Sequence, residues 1–127
     1  MLSSMTPTIV LKDGEPLLVT GSPGGSTIIT TTLQVIMNVI DHKMSLPEAV
    51  ASPRFHHQWR PDRVIHERFT FSPDTKEKLI EIGHKNLSAI PSYYGRGIGD
   101  ANSVMKTLDG YVGVSDPRNA GGASAVP

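Results

Sequence analysis

Apolar and polar positions change their period several times along the chain, and each change predicts an element. Short aliphatic and β-branched runs at Thr8 to Lys12 and Pro16 to Thr20 flank Asp13-Gly14, a dipeptide suited to a tight two-strand turn, so a hairpin is predicted there. Thr20-Gly21-Ser22-Pro23-Gly24-Gly25-Ser26 then interrupts the pattern. From Ser26 to His42 the apolar residues Ile28, Ile29, Leu33, Val35, Ile36, Met37, Val39 and Ile40 recur on nearly all sides, which predicts a central helix buried all round. The glycine-rich stretch is therefore a strand-to-helix turn.

Ser45-Leu46-Pro47-Glu48 has the spacing of a capping box, with Ser45 as N-cap, and Pro53 ends that helix early. Arg54 to Trp59 gathers aromatic and imidazole groups, with one ring of His56-His57 facing inward and the other outward if the segment is extended. Arg63 to Phe69 reads as a strand. Ser72-Pro73-Asp74 opens an amphipathic helix through Ile82, with Leu79, Ile80 and Ile82 on its inner side and Gly83 as its stop. Asn86 to Pro91 reads as a further strand, and Tyr93 to Gly99 as flexible loop. Asn102 to Leu108 and Tyr111 to Ser115 bracket Asp109-Gly110 as a second hairpin. Strands alternating with helices, and hairpins near both ends, predict a mixed α/β (α+β) layer architecture in which antiparallel pairing dominates. Residues 1–118 are expected to form one domain and 119–127 a frayed tail.

Composition narrows the function more than the fold. Twelve basic and twelve acidic side chains leave no net field to attract nucleic acid or an anionic membrane. No cysteine occurs, which removes disulfides, thiolate metal sites and a thiol nucleophile, and leaves the redox compartment open. The longest apolar stretch, within Ile28 to Ile40, is broken by three threonines, Gln34 and Asn38, so it falls short of a membrane span. The N-terminus has no basic region followed by an apolar one and does not read as a signal peptide.

Gly24 and Gly25 stand at the mouth of a helix, where the first N–H groups have no intrahelical partner and no side chain shields them. Such a place suits an anion, or a carbonyl oxygen becoming one; it also suits a plain helix start with Pro23 near the first turn. Ser3 and Ser4 carry hydroxyls, but no histidine is tied to them by spacing as a base. The histidines at 42, 56, 57, 66 and 84 lack the paired spacing of a metal-binding helix, and no metal site is expected. Asp116-Pro117-Arg118 reads as a turn with a structural ion pair.

Taken together, Leu2-Ser3-Ser4-Met5-Thr6-Pro7-Thr8-Ile9-Val10, Gly21-Ser22-Pro23-Gly24-Gly25-Ser26, Ser52-Pro53-Arg54-Phe55-His56-His57-Gln58 and Ser115-Asp116-Pro117-Arg118 closely resemble the γ-glutamyltranspeptidases (γ-glutamyltransferases), in that family's order and spacing. The resemblance implies an N-terminal-nucleophile hydrolase with a four-layer αββα sandwich, made as a precursor that cleaves itself into a large and a small subunit. The chain resembles the C-terminal part of the small subunit. In the family, the serine pair matching Ser3 and Ser4 binds the α-carboxylate of the γ-glutamyl group, and the glycine pair matching Gly24 and Gly25 supplies oxyanion-hole N–H groups. The implied substrates are glutathione and other γ-glutamyl compounds, with no cofactor, in a periplasmic or extracellular setting.

The family's catalytic threonine, and the acidic residue that grips the substrate amino group, are expected upstream of Leu2. Met1 stands where the family has interior sequence, so the start is expected to be a cloning boundary or a gene truncation. The isolated chain is accordingly expected to be inactive, to need the large subunit and the N-terminal part of the small subunit as partners, and to self-associate through an uncovered apolar face. Two other readings stay open: a non-catalytic binding or assembly domain of the same descent, and an acylase-like relative.

Overall fold

The computed structural model describes residues 4–90 and 97–122 of the 127-residue chain. Strands β1 (Thr8–Lys12) and β2 (Glu15–Gly21) form the first predicted hairpin. Its turn is Asp13-Gly14, with φ of +54° and +83°, the two consecutive positive values that match a hairpin turn to the twist of its strands. A bulge between Val10 and Leu11 shifts the register.

A 3-10 turn at Gly25–Thr27 leads into helix α1 (Ile28–Ile40), and α2 (Leu46–Ala51) follows. The Glu48 carboxylate accepts the Ser45 N–H at 3.0 Å and the Ser45 hydroxyl at 2.6 Å, closing the predicted box. Then come β3 (Phe55–His56), β4 (Val64–His66), α3 (Pro73–Glu81), β5 (Leu87–Ala89), β6 (Asn102–Thr107) and β7 (Gly110–Val114). Ser72 caps α3 by accepting the Thr75 N–H, and Gly83, at φ +112°, ends it.

One sheet has the order β1-β2-β6-β7, antiparallel throughout. A smaller one has the order β3-β4-β5, in which β4 and β5 are parallel. Period-two alternation sends Leu18 and Thr20 of β2 toward the helices, where Leu18 joins Val35, Val39, Leu46, Ala49, Val50 and Ala101 in the core. Ile9, Val19 and Val104, opposite one another in the register, face the other way and are 63%, 42% and 43% exposed. No helix among the described residues is long and apolar enough to cross a membrane.

Several expectations need correction. Helix α1 is not buried all round: Ile29, Leu33 and Met37, each four residues from the next, are exposed, because β2 and α2 cover the opposite side. The inner side assigned to the Ser72 to Ile82 helix is also largely uncovered, with Ile80 and Ile82 exposed and Leu79 half-buried. Arg63 to Phe69 pairs only over Val64–His66. In the second hairpin Thr107 pairs with Gly110, so the turn is Leu108-Asp109, and Gly110, at φ +128°, sits at the start of β7. Of the stretch expected to be flexible loop, 93–96 lies outside the described residues, but Gly97 to Gly99 is fastened, and Ile98 is buried.

Candidate functional site

The glycine turn lies at the end of β2, and the segment before β1 runs beside it. The Ser22 N–H donates to the Met5 carbonyl at 2.9 Å, and a side chain on Gly21 would meet that carbonyl oxygen at 3.0 Å and Pro7 Cα at 3.5 Å. Met5 and Thr6 have φ of +67° and +42°, an uncommon conformation for a residue with a side chain and a costly one for β-branched Thr6. The kink turns the chain so that Ser4, itself exposed, comes to the same end of the sheet as Ser22. Ser3 lies outside the described residues.

Gly24 and Gly25 are exposed and have φ of +141° and +60°. A Cβ on Gly24 would lie 2.7 Å from Thr27 Oγ1 and 3.2 Å from Gly99 Cα, so Gly24 is required for both its conformation and the close approach of Gly99. Among the described residues neither the Gly24 nor the Gly25 N–H has an acceptor. Their carbonyl neighbours are occupied: Pro23 O accepts the Ser22 hydroxyl, and Gly24 O accepts both the N–H and the hydroxyl of Thr27. Two amide hydrogens therefore open to solvent at the start of a helix, where they can receive an oxyanion or a carboxylate.

Behind the turn lies a cluster of buried charges. Arg54 Nη1 donates to Asp116 Oδ2 at 2.7 Å, Arg118 Nη2 to Glu67 Oε2 at 2.6 Å, and Arg118 Nη1 to Asp116 Oδ1 at 3.0 Å. The predicted ion pair between Asp116 and Arg118 is thus one edge of a four-membered network. Most of its remaining hydrogen-bonding capacity is spent on main chain, while the buried Arg54 Nε has no partner among the described residues. Glu67 Oε1 accepts the Ile98 N–H at 2.8 Å and Glu67 Oε2 the Arg54 N–H at 2.9 Å, while Asp116 Oδ2 accepts the Ala101 N–H at 2.7 Å. The guanidinium groups donate to the carbonyls of Val50, Ser52 and Ile98.

Burial alone pushes both carboxyls up. In Glu67 this is outweighed by the Arg118 hydrogen bonds and the N–H groups of Ile98 and Arg54, and in Asp116 by the Arg54 charge and the N–H groups of Arg118 and Ala101. Both are held below the usual carboxylate range. Burial pulls Arg118 down, but the bond to Glu67 and the charges of both acids raise it overall. Burial and the Arg118 charge lower Arg54, from so high a starting value that it remains a cation.

His56 is buried, bonded to the Thr30 hydroxyl and the Gln58 side chain, and His57 turns outward to Asp62, as the extended reading predicts. No group of three metal-ligating side chains occurs among the described residues. The sequence pattern singles out the glycine pair and Ser4 as candidates, which the structure brings to one end of the sheet, but assigns no role to Ser22, Gly99, Arg54 and Glu67. The one trace of the missed group is Gly97-Ile98-Gly99, where spaced glycines mark close backbone approach.

Comparison with known proteins identifies relatives of the chain. The family model for γ-glutamyltranspeptidase matches residues 1–126. The glutathione hydrolase proenzyme of Escherichia coli is 50% identical over 93% of this chain and 19% of that protein, and the one from Pseudomonas sp. strain A14 is 44% identical over 92% of this chain and 21% of its own length. The chain thus spans about a fifth of the length of these curated relatives. A crystal structure of the Helicobacter pylori γ-glutamyltranspeptidase superposes with a TM-score of 0.80 at 48% identity, covering 92% of this chain and 62% of that one. The fold is that of the C-terminal portion of an N-terminal-nucleophile hydrolase αββα sandwich. A match over almost every residue, together with the bare glycine amides and the buried network behind them, leaves one conclusion: the chain belongs to the γ-glutamyltranspeptidase family.

Proposed function

We propose that this chain is the part of a γ-glutamyl acyltransferase or hydrolase that supplies the oxyanion and α-carboxylate subsites for glutathione and related γ-glutamyl compounds. The Gly24 and Gly25 N–H groups take the carbonyl oxygen of the scissile γ-glutamyl bond as it gains charge. The Ser3 and Ser4 hydroxyls take the substrate α-carboxylate, where hydrogen bonds to an ionised acceptor are the stronger kind. Amide hydrogens already held in place need no reorganisation as the tetrahedral intermediate forms, and one such donor is worth on the order of 3 kcal/mol. The attacking threonine and the residue that grips the substrate amino group come from segments outside these residues, so the chain alone is inactive. Residues 1–118 act as one domain, and the family resemblance carries the periplasmic or extracellular placement.

What carries this reading is the pair of exposed amide hydrogens, without acceptors among the described residues, on the turn that main-chain bonding joins to the Ser4 segment. A second reading, a non-catalytic assembly domain, draws its support from the exposed apolar row Ile9, Val19 and Val104. Titration with glutamate, followed by NMR, separates the two. Shifts at Ser4, Gly24 and Gly25 support the subsites; a flat response leaves the assembly domain. With the remaining segments of the enzyme supplied, Gly24→Pro, which deletes one N–H, should abolish amine release from a γ-glutamyl anilide. Full activity in that variant would rule out the oxyanion role. The acylase-like alternative differs only in the acyl donor, which those other segments select.

A further inference from the structure

A trans peptide group is planar, so its C=O and the N–H that follows it point in opposite directions. Whatever fastens a carbonyl therefore aims the next amide hydrogen. In the glycine turn both relevant carbonyls are fastened by hydroxyls: Ser22 Oγ donates to Pro23 O at 2.6 Å, and Thr27 Oγ1 donates to Gly24 O at 2.9 Å. The first of these peptides carries the Gly24 N–H and the second the Gly25 N–H. We infer that Ser22 and Thr27 are positioning residues, each holding one of the two amide hydrogens on target. The inference rests on the reading of Gly24 and Gly25 as oxyanion donors.

Ser22 is itself held from behind. Its side chain is fully buried, and its oxygen accepts the Asp100 N–H at 2.8 Å while its hydrogen goes to Pro23. A hydroxyl used in both directions has little freedom to rotate away. Asp100 in turn belongs to the segment fixed by the buried charges. Glu67 takes the Ile98 N–H, Arg54 donates to the Ile98 carbonyl at 2.8 Å, and Asp116 takes the Ala101 N–H. Gly99 fills the space between: a Cβ there would lie 2.7 Å from Ser22 Oγ, and Gly99 backs directly on Gly24. A continuous path thus runs from three buried ionised side chains, Arg54, Glu67 and Asp116, through main chain, to the Pro23–Gly24 peptide plane. Thr27 depends on no such path, since it closes on Gly24 within the same turn.

The two hydroxyls can be tested separately. In the 127-residue chain labelled with 15N-glycine, Ser22→Ala should shift or broaden the Gly24 amide resonance. Thr27→Val should do so for Gly25, and Thr27→Ser should restore it. Thr27 is only half-buried, so its variants keep the test alive if Ser22→Ala fails to fold. With the remaining segments supplied, Ser22→Ala and Thr27→Val should each lower kcat about ten- to hundredfold with KM for the γ-glutamyl donor nearly unchanged, and Thr27→Ser should recover it. Glycine resonances that stay put in folded variants overturn the positioning role. Resonances that move while kcat holds leave the positioning role standing and overturn the oxyanion reading instead.

Discussion

The Arg54 guanidinium meets the Asp116 carboxylate at 2.7 Å with the two side chains 1% and 0% exposed, so neither charge has water to fall back on. A buried pair of this kind adds little net stability over an apolar core, but removing one partner strands the other. Asp116→Ala is therefore expected to destabilise the chain by about 3 to 5 kcal/mol, read as a lowered midpoint in urea unfolding. A loss below about 1 kcal/mol, the ordinary surface-pair value, would mean that water reaches Arg54.

Acid should act through the same cluster. Glu67 and Asp116 are both held below their ordinary values in the folded chain, so on lowering the pH the unfolded chain takes up their protons first. Their contribution is fully present above the ordinary carboxylate range, about pH 4, and is lost as pH falls through the depressed folded-state values. Thermal melts from neutral pH downward should show a steeper acid decline for the parent chain than for Glu67→Gln. Parallel declines would remove Glu67 as a contributor.

Two glycines with similar backbone angles should respond very differently to alanine. Gly14 has φ of +83° and, its chain neighbours aside, nothing within 4 Å of where a Cβ would stand, whereas Gly99 has φ of +71° and faces Thr31 and Ser22. Gly14→Ala should cost about 1 to 2 kcal/mol, the left-handed penalty alone. Gly99→Ala should cost about 1 to 3 kcal/mol beyond that, from overpacking. Equal losses in denaturant melts would show that the segment after Gly97 yields easily.

The outward face of the larger sheet predicts association. Ile9, Val19 and Val104 form an exposed apolar row across three strands. The chain by itself should bind a hydrophobic dye and elute larger than a monomer in light-scattering chromatography, and Val104→Lys should reduce both. A monodisperse chain that ignores the dye would mean that the row is too small to drive contact.

Local chemistry was legible in the sequence because its causes lie within a few residues. Asp13-Gly14, Ser45 with Glu48, Ser72 before Pro73, and Gly83 each act on their own turn, and each appears where expected. The glycine turn was legible for the same reason. Burial was not: the periodicity of Ile29, Leu33 and Met37 marks them as apolar but cannot reveal whether anything packs on them. Nor did Arg54, Glu67, Asp116 and Arg118 announce a common site, since their meeting depends on a three-dimensional path with no local signature.

The bond from the Asp100 N–H to Ser22 Oγ joins positions 78 apart in sequence, and the Arg118–Glu67 bonds close a separation of 51. Contacts of such range are slow to form, because the loop between them must be closed before they give anything back. During synthesis the glycine turn leaves the ribosome before Asp100, Asp116 and Arg118, which belong to the parts that steady it. The turn is therefore expected to stay unfinished until residue 118 has been made, so a chain interrupted before that point should lack a fixed orientation of the Pro23–Gly24 peptide.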